Sequence, residues 1–170
     1  KPYMEKCVDI LKPHGDILEI GFGMGYSATA INKHRLRSYT VIEKDENVIK
    51  NFKKWKKKQT TKKINLIKGM WQFKIPFTKK FDCIFFDDSP SNEIKLHQDR
   101  FNLFLKLILN HVKYNTVLVS YATGKNKLIG YLTKHFKMNT YPYRIKIPYN
   151  CRYAKGNYMY AVKITFRKKL

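Results

Sequence analysis

The sequence has no run approaching the ~20 apolar residues that a membrane-spanning helix needs, and nothing in it reads as a signal peptide. Cysteine is scarce. Cys7, Cys83 and Cys151 are far apart and odd in number, and no CxxC pair or Cys/His cluster is present. Nothing in this spacing suggests a zinc module, and it favours free thiols over disulfides. We expect free thiols in a reducing, cytoplasmic compartment, and no bound metal. Internal repeats and Gly/Ser-rich linkers are missing too, so 170 residues read as one domain spanning 1–170. The chain begins at Lys1 rather than Met, from which we expect a longer protein with an upstream N-terminal segment. Hydrophobic residues make up 44%, too many for a disordered chain and enough for a core.

Acid and arginine are also in short supply. Against 35 Lys and Arg stand 12 Asp and Glu, giving a net charge of +23, and only 6 of the 35 are Arg. One reading is a polyanionic partner: RNA, DNA or acidic lipid. The other is biased composition, because guanidinium suits phosphate better than ammonium and Lys, Asn, Ile, Tyr and Phe are all abundant. The densest basic run, Lys53–Lys58 (KKWKKK), also reads as the solvated side of a helix.

What the sequence does have is alternation. Short apolar runs at Asp16–Ile20, Tyr39–Glu43, Ile64–Lys68, Asp82–Asp87 and Thr116–Ala122 read as strands. Between them, Tyr26–Lys33, Glu46–Lys58, Glu93–Val112 and Asn126–Phe136 read as helices. The Glu46–Lys58 helix places Val48, Phe52 and Trp55 on one face. Arg144–Tyr149 and Tyr158–Phe166 read as a last strand pair, joined too tightly for a parallel crossover and therefore antiparallel. The expected fold is α/β: a mostly parallel sheet with an antiparallel C-terminal strand and helices on both faces. Ligands on such sheets bind at the carboxyl ends of the strands.

Each strand end carries candidate chemistry. The first, in DILEIGFGMGYS (Asp16–Ser27), runs into Gly21, Gly23 and Gly25. Their backbone N–H groups and the helix that follows suit an anion, whereas Glu19 suits a cationic or amine-bearing part of a ligand. A tight turn that binds nothing is the plainer reading. Glu43 ends the second strand and can accept a ribose diol. It can also cap the next helix, although Asp45 is the better cap, which leaves Glu43 free. After the third strand, Gly69 permits close approach, and Trp71 offers a flat face for an adenine or fills the core. The fourth strand delivers Asp87 and Asp88, adjacent acids whose repulsion shifts a pKa. A turn with an N-cap is the plainer alternative, but Ser91 and Asn92 can supply that. Taken together, Glu19, the glycines, Glu43, Trp71 and Asp87 describe a site for S-adenosylmethionine.

With PYM at Pro2–Met4, LEIGFGMG at Leu18–Gly25, VIEKDENVIKNFKKW at Val41–Trp55, LIKGMWQ at Leu66–Gln72, FDCIFFDDSP at Phe81–Pro90 and CRYA at Cys151–Ala154, the sequence resembles the class I S-adenosylmethionine-dependent methyltransferases. More narrowly it resembles guanidinoacetate N-methyltransferase and related arginine methyltransferases. The resemblance implies a Rossmann-like sheet and cofactor contacts from Glu19, Gly21, Gly23, Glu43, Gly69, Met70 and Trp71. Tyr3, Met4, Phe22, Met24, Lys44 and Asp87 complete the implied cofactor set. It further implies that Asp87 faces a substrate guanidine and that backbone near Thr123 and Gly124 holds a substrate carboxylate. The sequence departs from the family pattern at Ser89, where an aromatic is usual, and at Asn115-Thr116, where Gly-Gly is usual. The family places a Trp-Glu pair just ahead of PYM; with the chain starting at Lys1, that pair is either cut off or missing.

These readings lead us to expect N-methylation of a guanidino or amino group on a small molecule or a protein arginine. Asp87 would orient the nitrogen and take its proton, with Asp88 as helper. His97 is a second acid/base candidate or a plain helix-surface residue. The rival expectations are an RNA or protein methyltransferase that uses the basic surface, and a silent methyltransferase-like binding domain. The Asn-Pro-Pro-aromatic motif for base amino groups is missing.

Overall fold

The alternating apolar runs pair into one mixed sheet. The structure is a computed structural model that describes residues 2–60, 63–88, 94–122, 134–146 and 157–167, with backbone alone for 94–98. The strands are β1 (Gly15–Ile20), β2 (Leu36–Glu43), β3 (Ile64–Lys68), β4 (Phe81–Phe86), β5 (Val112–Ala122), β6 (Phe136–Arg144) and β7 (Tyr158–Phe166). The helices are α1 (Pro2–Leu11), α2 (Tyr26–Ile31), α3 (Glu46–Lys56), α4 (Trp71–Lys74) and α5 (Ile94–Ile108). Strand order is β3-β2-β1-β4-β5-β7-β6. The first five pair in parallel, and β7 runs antiparallel to both β5 and β6. The chain moves outward from β1 to β3 and then returns to β4, so the sheet's switch point lies between β1 and β4, where a ligand crevice is expected.

Alternation along the central strands divides the core. Leu18, Ile20, Ile84, Phe86 and Leu118 pack with Trp71 of α4 and with Phe101, Phe104, Leu105 and Ile108 of α5. On the opposite face, Ile17, Tyr39, Val41, Cys83 and Phe85 meet Tyr3, Cys7, Val8 and Leu11 of α1, Ala28 and Ile31 of α2, and Phe52 of α3. Helix α1 has no counterpart in the sequence-based expectation, although Tyr3, Cys7, Val8 and Leu11 recur at helical spacing and are all buried. Cys7 and Cys83 are buried free thiols, and Cys151 lies outside the described residues. Among the described residues no helix is long and apolar enough to cross a membrane.

Three boundaries differ from expectation by four residues or more, while β2 begins three residues early, at Leu36. Helix α5 stops at Ile108 rather than Val112, and a 3-10 turn at Leu109–His111 leads into β5 four residues before the expected start. Within β5, Asn115 takes φ +64°, a left-handed conformation that Asn tolerates and the family's glycine adopts freely. Thr116, buried beside it, donates to the Phe81 carbonyl at 2.6 Å and accepts from the Lys113 N–H at 2.7 Å. The third difference is β6, which spans Phe136–Arg144 rather than Arg144–Tyr149. It is an edge strand, exposed along most of its length and carrying Pro142, so neither alternation nor propensity marks it. Most of the expected Asn126–Phe136 helix lies outside the described residues, and Phe136 itself begins β6. The antiparallel reading of the last pair holds.

An ionic network closes the amino-terminal end of the sheet. Asp16 accepts from Ser38 Oγ at 2.6 Å and from Arg37 and Lys79, each at 2.7 Å. Lys113 bridges both Asp82 oxygens at 2.8 Å, and Asp82 accepts the Asp16 N–H at 2.8 Å. Burial pushes the Asp16 carboxyl up, but the hydrogen bonds from Lys79, Ser38 and Arg37 outweigh it and hold the group below the usual carboxylate range.

Candidate functional site

At the opposite end of the sheet, the carboxyl ends of β1, β2 and β4 frame a cleft of about 260 Å³. Its floor comes from the loop after β1. Gly21 takes φ +81° and its N–H donates to Ile42 O at 2.9 Å, while Asp87 N–H donates to Ile20 O at 3.0 Å. A Cβ on Gly21 would lie 2.6 Å from the Asp87 carbonyl oxygen, and one on Gly25 would lie 2.7 Å from the Phe22 ring. These two glycines therefore answer to the protein's own packing. Gly23 differs: it lines the cleft at φ +51°, and a Cβ there would meet nothing within 4 Å. Of the three, Gly23 is the one whose open side faces ligand space.

This contrast makes a prediction. Gly21→Ala must push apart the ends of β1 and β4, so its melting temperature falls well beyond the shift expected from left-handed strain alone, about 1–2 kcal/mol. Gly23→Ala carries the strain alone and keeps the fold, but its methyl enters the cleft and weakens ligand binding. Thermal melts and calorimetric titrations on both variants check the pair.

Glu43 closes β2 with its carboxylate pointed inward. Oε2 accepts the Phe22 N–H at 2.9 Å, and Oε1 accepts the N–H groups of Lys44 and Asp45 at 2.7 and 2.9 Å. Two carboxylate oxygens offer about four lone-pair sites, so a further position remains on Oε2. Asp45 caps α3 as expected, accepting from Asn47 and Val48 N–H through Oδ1. The expectation that this leaves Glu43 free is corrected: three backbone donors already fix its carboxylate in place. The Gly69 N–H donates to Glu43 O at 2.8 Å and draws the β3–α4 turn against the same corner.

Trp71 is buried, set edge-on to Phe86 and Phe104, yet it also borders the cleft. Its indole N–H donates to Asp88 Oδ2 at 2.9 Å. Arg100 grips the same oxygen through Nε at 2.7 Å and through Nη2, and its guanidinium lies 5.5 Å from the Trp71 ring centroid. Asp88 is thus a clamped anion that ties α4 to α5. Among the described residues Asp87 has no such partner. Burial, then the charges of Asp88 and Glu43, push its carboxyl up to about 7.

Of the residues singled out in the sequence, Gly21, Gly23, Glu43, Lys44, Gly69, Met70, Trp71, Asp87 and Asp88 line this cleft. Others do not. Glu19 is fully buried on the α1–α3 side of β1, where Ser27 and Tyr39 hydroxyls donate to it. Burial there raises its pKa well above the usual range. Phe22 packs edge-on against Phe52 and Trp55. Tyr3 is buried and donates to Tyr160 O at 2.6 Å, half-buried Met4 packs in the α1 layer, and Met24 is largely exposed. Thr123 and Gly124 lie outside the described residues, as does the His97 side chain.

The sequence reading missed Arg100 and Gln72. Arg100 had a signal, being a guanidinium kept in a chain that otherwise prefers Lys, and bidentate pairing is what guanidinium does best. Gln72 lines the cleft with a buried Oε1 that has no partner among the described residues. That unpartnered acceptor, the open side of Gly23 and the spare position on Glu43 fit a nucleoside bearing an amino group.

Comparison with known proteins follows the same lines. The family model described as guanidinoacetate N-methyltransferase matches residues 1–137. The fold is similar to the N-methyltransferase NodS from Bradyrhizobium japonicum WM9 (TM-score 0.71, 12% identity, 98% of this chain and 96% of that one). It is also similar to precorrin-6y C5,15-methyltransferase from Geobacter metallireducens GS-15 (TM-score 0.70, 12% identity, 96% and 87%). The O-methyltransferase TomG from Streptomyces achromogenes, solved in complex with SAM, aligns at TM-score 0.64 and 14% identity over 98% of this chain and 80% of that one.

Proposed function

The chain belongs to the guanidinoacetate N-methyltransferase family, and from that premise we propose that it methylates a guanidino or amino nitrogen of a small molecule or protein arginine. It is a methyltransferase with S-adenosylmethionine as its cofactor. The observation that carries the acceptor reading is Asp87: a carboxyl without a cationic partner among the described residues, held at the switch point beside the cofactor cleft and poised to titrate near neutrality.

The chain's own groups divide the work. Gly23 would bring backbone close to the cofactor, Glu43 would accept a ribose hydroxyl, and Gln72 Oε1 would accept from its adenine amine. When bound, S-adenosylmethionine supplies an electrophilic methyl carbon on a sulfonium. A guanidinium, with a pKa above about 12, is a poor nucleophile. Asp87 accepts its N–H bonds, turns one nitrogen toward the cofactor and takes the proton released as the new C–N bond forms. Asp88, clamped by Arg100 and Trp71, is not the base. It holds the adenine-side wall and raises Asp87 by its charge. The remaining contribution is positioning in a site sheltered from water.

The test is a two-step assay. Calorimetric titration with S-adenosylmethionine and S-adenosylhomocysteine should give micromolar binding. Labelled-methyl transfer is then screened across guanidino compounds, amines, arginine peptides and RNA. Transfer to a guanidine or amine nitrogen supports the reading, and transfer to RNA alone, or binding without turnover, overturns it.

A further inference from the structure

At the other end of the sheet, a second and larger cleft of about 530 Å³ opens between the α2–β2 loop and the residues Thr60 and Lys63. Lys33, His34, Arg35, Arg37 and Lys63 line it, all exposed, and among the described residues no carboxylate does. Lys56, Lys57 and Lys58, exposed at the end of α3, lead directly to Thr60 on its rim. Lys50, Lys53 and Lys54 extend the cationic surface along the same helix. No Asp or Glu occurs from Ile20 to Ile42 or from Asn47 to Phe81, the stretches that build this end. The acids nearby, Asp16 and Asp82, are already held by Arg37, Lys79 and Lys113, two anions against three cations.

We propose that this cleft, continued along α3, docks the phosphate backbone of a nucleic-acid duplex. Biased composition scatters Lys over a surface; it does not gather Arg, scarce in this chain, into one concavity. Arg35 and Arg37 are two of its six arginines; Arg37 is shared with Asp16, and Arg35 faces the cleft as an exposed cation. Three features choose the partner. Among the described residues, none of the exposed large apolar side chains lies on the cleft or on α3. A lipid surface is held by inserted apolar groups as well as by charge, and single strands are held by stacking on exposed aromatics, so neither is served here. Phosphates spaced along a duplex need only converging cations. The surface reads no bases, and sequence specificity is not expected from it.

Docking here is separate from methyl transfer. Strand β2 runs from Leu36 at the basic cleft to Glu43 at the cofactor cleft, about 23 Å at 3.3 Å per residue. A duplex held at this end lies away from Asp87 and is a tether rather than the acceptor.

The experiment is fluorescence anisotropy with a short blunt duplex, as RNA and as DNA, against a single strand of the same sequence and against anionic phosphatidylserine vesicles. Wild type should prefer the duplexes, with affinity falling linearly in log salt, and the RNA and DNA arms identify the source of the backbone. Arg35→Glu/Lys63→Glu should lose at least about tenfold and flatten the salt slope by about 2. Lys137→Glu/Lys146→Glu, an equal charge change on and just beyond exposed β6, should lose less than about threefold if attraction is local and screened. Equal losses in both variants, tighter binding to vesicles or single strands, or no duplex binding would overturn the proposal. Both variants should titrate with S-adenosylmethionine as wild type does, so a missing cofactor signal counts against the transferase reading alone.

Discussion

Asp87→Asn lowers turnover by about 10²–10⁴-fold, the range for removing a positioned acid–base group, while S-adenosylmethionine binding stays within a few-fold of wild type. The split arises because Asp87 addresses the acceptor, whereas the glycine loop, Glu43 and Gln72 address the cofactor. The pH dependence follows from the same group. Its carboxyl is pushed up to about 7 by burial and by the Asp88 and Glu43 charges, so kcat/KM rises between roughly pH 6 and pH 8 as the base ionises. For stability the sign reverses. A carboxyl raised from its unfolded value of about 3.9 contributes stability that is complete below that value and lost as pH rises through about 7. Asp87→Asn is therefore more thermostable than wild type at pH 8, and the gain shrinks toward pH 4. Single-turnover rates and melting curves across this window check both arms. Near-normal turnover in Asp87→Asn, or a flat pH profile, would sink the assignment.

Glu43→Ala weakens S-adenosylmethionine binding by about 10–100-fold, the loss expected for one or two hydrogen bonds to a charged acceptor at about 1.5–3 kcal/mol together. It also lowers stability, because the Phe22, Lys44 and Asp45 N–H groups lose the carboxylate that receives them. Glu43→Gln separates the two effects. It keeps an oxygen for backbone donors, so it recovers most of the melting temperature, but its amide cannot take the same set of N–H bonds and ribose hydroxyls. Titration calorimetry and thermal melts on both variants provide the readout. Unchanged cofactor affinity in Glu43→Ala would remove this residue from the site.

What the sequence determined by itself was local and periodic. Apolar runs ending in Gly21, Glu43 and Asp87 marked the central strands and their functional ends, because burial on both faces leaves near-continuous hydrophobic stretches. The antiparallel finish was expected from a short joint before Tyr158, but β6 ends at Arg144, so the direction was right and the joint longer than expected. Asp45, rather than Glu43, was legible as the helix cap from side-chain chemistry alone. The edge strand β6 was not legible, since exposure on both faces removes the pattern a reader depends on. Nor was the fate of the acids. In sequence, Glu19, Glu43, Asp87 and Asp88 are four equivalent carboxylates near strand ends. Only packing sends Glu19 into the α1–α3 layer, fastens Glu43 to three backbone donors and hands Asp88 to Arg100 and Trp71. Among the described residues, Asp87 is the one of the four whose carboxylate is left beside the cleft with no donor to hold it. That division depends on partners far apart along the chain, and a carboxylate's pKa and reach are set by those partners rather than by its own neighbours in sequence.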